Sequence, residues 1–208
     1  MRKCLWISLV IIILSFLVSI WLYPQLPERM PSHWNAKGDV DGYMPKTWAL
    51  FMLPIVNLGL LALFLIIPVI DPLKHNIRKF MRYYDGMVVL IIAFMTYVHI
   101  LTLAYGLGVQ FSMVLAMMPA LGFLFYYMGI LTENAKRNWF VGIRTPWTLS
   151  SEKVWNKTHK KGGKLFKASG VIAVIGVLFG DLAIWFVLVP VLLSTAYLVV
   201  YSYFEYRK

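Results

Sequence analysis

Six apolar runs constrain this chain more than any other feature of its sequence. A run of about 18 or more apolar residues can cross the hydrocarbon core of a bilayer, which is about 30 Å thick. The runs cover residues 4–23, 48–70, 86–105, 110–131, 168–179 and 182–204. The fifth run is short for a span. The pattern predicts an all-α polytopic integral membrane protein with six transmembrane helices.

Composition supports a membrane protein and excludes several kinds of site. Apolar residues make up 60% of the chain and the mean hydropathy is +0.71, whereas an ordinary soluble domain is about 45–50% apolar. Cys4 is the single cysteine, so an internal disulfide is excluded. The sequence lacks the HExxH, GxSxG and phosphate-loop motifs of common enzymes. We therefore predict no catalytic residues, no metal site and no cofactor.

The distribution of Lys and Arg predicts the orientation in the membrane. Two of these residues precede the first run, four lie in residues 71–85, nine in 132–167 and two at the end of the chain, which makes seventeen of the twenty. Cytoplasmic loops carry such an excess. We therefore expect both termini and loop 132–167 in the cytoplasm and loop 24–47 outside. Anionic lipid, rather than direct binding of nucleic acid, explains the net charge of +11.

Two domains follow from this order of segments. The first covers residues 1–70, a two-helix unit with the outer loop 24–47. The second covers residues 71–208, a four-helix unit with the cytoplasmic loop 132–167.

The outer loop has the pattern of a short hairpin. Residues 32–35 alternate as in a strand, Ala36-Lys37-Gly38 form a turn, and residues 39–43 return. A small ectodomain of this kind can meet an outside ligand, and the candidate contacts are His33, Trp34, Asn35 and Asp41. Packing of His33 and Trp34 against the membrane is the alternative. Turn formation accounts for the Asp and Gly residues better than a calcium loop does.

His99 is the ionisable side chain deepest within a predicted span. Thr96 and Thr102 share its helix face, at i−3 and i+3. An intramembrane ionisable residue is a candidate proton or ligand site. The alternative is a neutral imidazole hydrogen-bonded to a hydroxyl between packed helices.

Loop 132–167 reads as a bent apolar segment followed by an amphipathic helix. Arg144-Thr145-Pro146-Trp147 bend the chain, because the residue before a proline avoids the helical region. Ser150 is a good N-cap for a helix with lysines on its polar face. We expect this helix to lie on the inner leaflet, between transmembrane helices 4 and 5, and to break or hinge at Gly162-Gly163.

The order of residues in this loop resembles the signature of the SdpI family. The matching residues are Gly142 to Ser151, which read GIRTPWTLSS, followed by Val154-Trp155, Thr158-His159 and Gly162-Gly163-Lys164. Residues of the outer loop, among them His33-Trp34-Asn35 and Asp41-Gly42, are similar to the uncharacterised domain at the N-terminus of many members. The resemblance spans the chain.

This resemblance implies a bacterial membrane immunity protein in the inner membrane. It would give resistance to a secreted killing peptide and act as a receptor that holds a cytoplasmic repressor at the membrane. The residues implied for partner binding are Arg144, Thr145, Pro146, Trp147, Ser150, Trp155 and His159. Two other functions stay open: a transporter with His99 on its path, and a membrane enzyme with a site at Arg144 and His159.

Overall fold

The computed structural model of this protein describes residues 3–208, so Arg2, which contributes to the predicted orientation, lies outside the described residues. Six helices are long and apolar enough to cross a membrane. The prediction of a mostly helical, multi-pass membrane protein is therefore confirmed at this level. In chain order the elements are α1 (Lys3–Leu22), β1 (Arg29–Trp34), β2 (Val40–Pro45), α2 (Lys46–Ile70), α3 (Lys74–Lys79), α4 (Met81–Gly106), α5 (Met113–Asn134), α6 (Pro146–Ser150), α7 (Glu152–Ile175) and α8 (Trp185–Arg207).

The helices pack into two compact units that do not follow chain order. One unit takes the chain as far as Phe64 together with Val88–Met117. The other consists of Leu65–Met87 and Met118–Lys208. The predicted division into 1–70 and 71–208 follows the chain and stays a prediction.

In the first unit, the predicted hairpin is confirmed and has its own apolar base. Strands β1 and β2 are antiparallel, with Arg29 opposite Pro45 and His33 opposite Gly42. Met30 is fully buried in a cluster that also contains Leu22, Leu26, Ala49, Leu50 and Leu103. Burial of these side chains packs the hairpin against helix ends. A two-stranded hairpin is only marginally stable by itself and needs such packing.

Asn35 forms the turn of the hairpin. Its side-chain Oδ1 accepts hydrogen bonds from the backbone N–H groups of Lys37 and Asp39, at 2.9 and 3.0 Å. Gly38 has a φ of 91°, which a residue with a side chain rarely adopts. The turn chemistry read from the sequence therefore explains the hairpin, and Asn35 has a structural role in it.

In the second unit, the predicted break at Gly162-Gly163 is wrong, because α7 continues through both glycines. The basic helix and the fifth span are consequently one helix. A methyl group on Gly163 would overlap the Glu133 side chain and lie 2.7 Å from the carbonyl oxygen of Gly129 on α5. Small residues at such positions allow membrane helices to approach closely. These glycines therefore serve packing.

The start of this helix also differs from the prediction by one residue. Ser150 ends α6, and its hydroxyl donates to the carbonyl oxygen of Pro146 at 2.7 Å. Ser151 is the N-cap of α7, where its side chain accepts from the backbone N–H of Val154 at 3.4 Å. Both serines are good caps, so the local sequence does not distinguish them.

Candidate functional site

Asn138 holds the bend at the start of the candidate site. Its Nδ2 donates to the carbonyl oxygens of Lys136 and Val141, both at 2.8 Å. Its Oδ1 accepts from the N–H groups of Phe140 and Val141, at 2.9 and 2.7 Å. All four hydrogen-bonding positions of this fully buried amide are thus used. Asn138 is a structural residue that the sequence reading did not single out.

His159 closes the next part of the loop. Its Nε2 accepts a hydrogen bond from the backbone N–H of Ile143 at 3.0 Å, so Nδ1 must carry the proton, and Nδ1 donates to the carbonyl oxygen of Trp155 at 2.9 Å. The imidazole of His159 stacks on the indole of Trp155, with ring centroids 3.8 Å apart. Gly142 has a φ of 118°, and a methyl group there would overlap the imidazole.

Trp155 anchors this stack. It is fully buried, and its indole Nε1 donates to the carbonyl oxygen of Ala135 at 2.8 Å. His159 is also buried, with 1% exposure. In this conformation both rings build the loop, and a partner cannot contact them directly.

Thr145 and Thr148 form a reciprocal cap for α6. The Thr145 hydroxyl accepts from the N–H of Thr148 at 3.2 Å, and the Thr148 hydroxyl accepts from the N–H of Thr145 at 2.9 Å. Pro146 occupies the first turn, where a missing N–H costs nothing. The Thr145 hydroxyl also lies 3.0 Å from that of Ser202 on α8. This network leaves Thr145 buried.

The remaining predicted partner-binding residues are accessible. Arg144, Pro146 and Ser150 are exposed, and Trp147 is half-buried with its ring 5.1 Å from that of Tyr203. The Arg144 guanidinium donates to the carbonyl oxygen of Trp139 at 2.8 Å, which orients it across the bend. The loop therefore has a buried frame and an accessible surface formed by these four residues, which we call the loop surface.

The comparisons with known proteins match this region and the hairpin separately. Residues 134–202 match the SdpI/YfhL protein family, and residues 10–58 match a domain of unknown function, DUF1648. The chain is also 30% identical over 203 residues to the immunity protein SdpI of Bacillus subtilis (strain 168), covering 97% of this chain and 95% of the relative. This chain belongs to the SdpI/YfhL family. No solved structure matches it.

The SdpI/YfhL match contains the whole loop frame just described, from Asn138 to His159 and on to Ser202. The resemblance seen in GIRTPWTLSS is thereby confirmed. The DUF1648 match contains the hairpin, which carries the predicted ligand contacts. His99 lies outside both matched ranges.

On the hairpin, the four candidate contacts have different surroundings. His33 and Asp41 are exposed and face each other across the strands, with Nδ1 and Oδ1 2.5 Å apart. Trp34 packs edge-on against Tyr105, with ring centroids 5.7 Å apart. Asn35 is occupied in the turn. His33 and Asp41 are therefore the two exposed candidate contacts of the hairpin, and they are hydrogen-bonded to each other.

His99 is buried in the first unit, and its Nε2 lies 2.8 Å from the hydroxyl of Ser19 on α1. The predicted contact with a hydroxyl between helices is thus present. The two threonines on its face have other partners: Thr96 accepts from the amide of Asn57 at 3.1 Å, and Thr102 donates to the carbonyl oxygen of Val98 at 3.0 Å.

A basic face on α7 adjoins the loop surface in sequence. Lys157, Lys160, Lys161 and Lys164 line a cleft of about 260 Å³ with Tyr201. Lys157 pairs with Glu205 at 2.6 Å. Glu205 also accepts a hydrogen bond from Lys208, and this bond raises the pKa of Lys208 above its ordinary value.

Within residues 3–208, no group of His, Cys, Asp and Glu side chains is arranged to hold a metal ion.

Proposed function

We propose that this chain is an immunity protein of the cell membrane and that it protects its cell from a secreted, membrane-active killing peptide. The observation that carries the proposal is the similarity to the immunity protein SdpI of Bacillus subtilis, which extends over 97% of this chain. A protein that resists such a peptide has to meet it at or within the bilayer. Six spans and a polar hairpin suit that task.

The orientation belongs to the same proposal. Both termini, α3 and loop 132–167 face the cytoplasm, because these segments hold most of the Lys and Arg. The hairpin then faces outward, where an arriving peptide would first meet His33 and Asp41. Anionic headgroups of the inner leaflet would contact the lysines of α7.

The second part of the proposal concerns signalling. The loop surface, Arg144, Pro146, Trp147 and Ser150, is the place where a small cytoplasmic repressor docks when the peptide is present. Its support is the rigid frame of Asn138, Thr145, Trp155 and His159 beneath it. A preorganised surface loses little conformational entropy on binding, which favours a protein partner.

Protection is tested by expressing the chain in a host that the killing peptide lyses. Cells that carry the chain should survive a peptide dose that kills cells with an empty vector. The control is the Trp155→Ala variant, whose loop frame is damaged, with its amount in the membrane measured by immunoblot. Equal killing with and without the intact chain removes the immunity function.

Docking is tested with a tagged small cytoplasmic repressor, which is followed into the membrane fraction after peptide is added. Arg144→Ala should reduce the affinity for the repressor about thirtyfold or more, since truncating one partner of a hydrogen-bonded charge pair at an interface costs about 2 kcal/mol or more. Lys153→Ala is the matched control, because it removes one exposed cation of the same segment outside the loop surface. Undiminished recruitment by Arg144→Ala, or equal losses in both variants, counts against this dock.

A further inference from the structure

A narrow groove runs along α1 and α4 in the first unit. Its volume is about 240 Å³. Its walls are mainly apolar, and its polar lining includes two side chains of α4. The residues that matter here are Ile11, Leu14, Val18 and Ile100 on the walls, and Thr96 and His99 among the polar groups. Pockets for drug-sized ligands are roughly 300–1,000 Å³, so this groove fits one side chain better than a whole ligand.

The hydrogen bonds around His99 fix which ring nitrogen carries the proton. The hydroxyl of Ser19 lies 2.7 Å from the carbonyl oxygen of Leu50 and 2.9 Å from that of Ser15, and these oxygens can only accept. The single hydroxyl proton of Ser19 goes to one of them. His99 Nε2, 2.8 Å from the same hydroxyl oxygen, is then the donor.

The other ring nitrogen, Nδ1, consequently has a free lone pair. It has no hydrogen-bond partner within the described part of the chain, although His99 is only 1% exposed. A buried acceptor without a donor is unfavourable, and native structures rarely keep one without a reason. The ring that carries it lines the groove.

Neighbouring hydroxyls of the groove have partners of their own. Ser15 donates to the carbonyl oxygen of Ile12 at 2.7 Å, and Thr96 accepts from Asn57. Among the side chains that line the groove, His99 is therefore the one with a buried hydrogen-bonding atom, Nδ1, that has no partner in residues 3–208. A lipid acyl chain would fit the apolar walls, but it has no donor.

The depth of His99 in the membrane makes a hydrogen bond to it more favourable. His99 precedes the end of α4 at Gly106 by seven residues, which corresponds to about 10 Å along the helix. At this depth in a bilayer, water does not satisfy polar groups. A donor brought by a membrane-inserted molecule therefore meets little competition.

We propose that this groove binds an apolar side chain with one hydrogen-bond donor, such as an indole N–H or a hydroxyl, from a peptide inserted in the membrane. This proposal rests on the proposed immunity function for the identity of the peptide. The chemistry of the groove is independent of it. An acyl chain that occupies the groove without any need for a donor is the competing outcome.

The binding chemistry is tested with indole and 1-methylindole, which differ in the single N–H donor. Full-length protein labelled with ¹⁵N-histidine is placed in phosphatidylglycerol nanodiscs, and the Nδ1 resonance of His99 is assigned by its loss in His99→Phe. Indole should move this resonance with saturation and bind about fivefold more tightly than 1-methylindole, because one hydrogen bond contributes that much. Equal binding of the two probes, or no saturation with indole, overturns the proposal.

A variant that blocks the groove tests whether the groove contributes to protection of the cell. Leu14 is 54% exposed and lines the groove, whereas its neighbour Ile13 is 55% exposed and is not among the lining residues. Leu14→Trp should abolish indole binding and lower protection against the peptide at least tenfold, while Ile13→Trp should keep both. Full protection by Leu14→Trp overturns the link to the peptide. If the unaltered chain never protects, the immunity function fails, and the two indole probes still decide the chemistry of the groove.

Discussion

Two buried histidines of this protein have equal burial and opposite hydrogen-bond states. His99 and His159 are each 1% exposed. Both nitrogens of His159 are paired with backbone groups, whereas His99 pairs through Nε2 alone, and its Nδ1 has no partner in residues 3–208. Burial alone therefore does not tell a structural histidine from a candidate binding residue. The number of ring nitrogens that have a hydrogen-bond partner distinguishes the two histidines.

The difference arises from the surrounding backbone. Around His159, Gly142 adopts a positive φ that lets the chain close over the imidazole and present the N–H of Ile143. His99 instead meets a hydroxyl from another helix, and that hydroxyl is itself shared with two carbonyl oxygens. The loop backbone therefore closes around the ring of His159. The ring of His99 is hydrogen-bonded to Ser19 through Nε2 and also lines a groove.

The largest expected effect comes from removing the ring on which His159 stacks. Trp155→Ala deletes a fully buried indole and leaves the carbonyl oxygen of Ala135 without its donor. We expect the free energy of unfolding to fall by about 3–5 kcal/mol. Denaturant titration of the purified protein in detergent measures it. Trp139→Ala, at an exposed position of the same segment, is the control and should cost far less.

The next prediction compares the two histidines directly. His159→Phe leaves the N–H of Ile143 without an acceptor, so we expect a loss of about 1–3 kcal/mol in the free energy of unfolding. His99→Phe should change it by less than about 1 kcal/mol, because the Ser19 hydroxyl keeps its carbonyl acceptors and the unpaired nitrogen disappears. Equal losses in the two variants would show that His99 is as structural as His159.

The backbone around His159 is tested by Gly142→Ala. The φ of 118° is strained for alanine, and the new methyl group would overlap the imidazole. We expect a loss of about 1–3 kcal/mol in the free energy of unfolding. Gly59→Ala is the matched control, because nothing lies within 4 Å of a methyl group there. A neutral Gly142→Ala variant would mean that the loop can close over the ring in another way.

Much of the architecture was readable because the bilayer imposes it. Long apolar runs had to become helices, and the Asn35 to Asp39 stretch had the residues of a turn. The helix continues through Gly162 and Gly163, against the prediction, because close packing of Gly163 against Gly129 on α5 outweighs the low helix propensity of glycine. The contact of His99 with Ser19 joins residues eighty positions apart. No local pattern predicts such a contact. The hydrogen bonds of Asn138, by contrast, all lie within residues 136–141, so an Asn in a polar stretch, a common turn residue, was the available signal for its role.

The smallest expected effect concerns the cap of the helix that carries Trp155 and His159. Ser151→Ala removes the side-chain acceptor for the N–H of Val154, a long contact at 3.4 Å, so the loss should lie near the lower end for N-caps, about 0.5–1 kcal/mol. Ser150→Ala should be nearly neutral, because that exposed hydroxyl only donates back to the carbonyl oxygen of Pro146. The pair of variants, compared by the same titration, reports where α7 begins. A larger loss for Ser150→Ala would move the start of the helix to the residue that the sequence pattern favoured, and the position of His159 under the loop would then depend on a different cap.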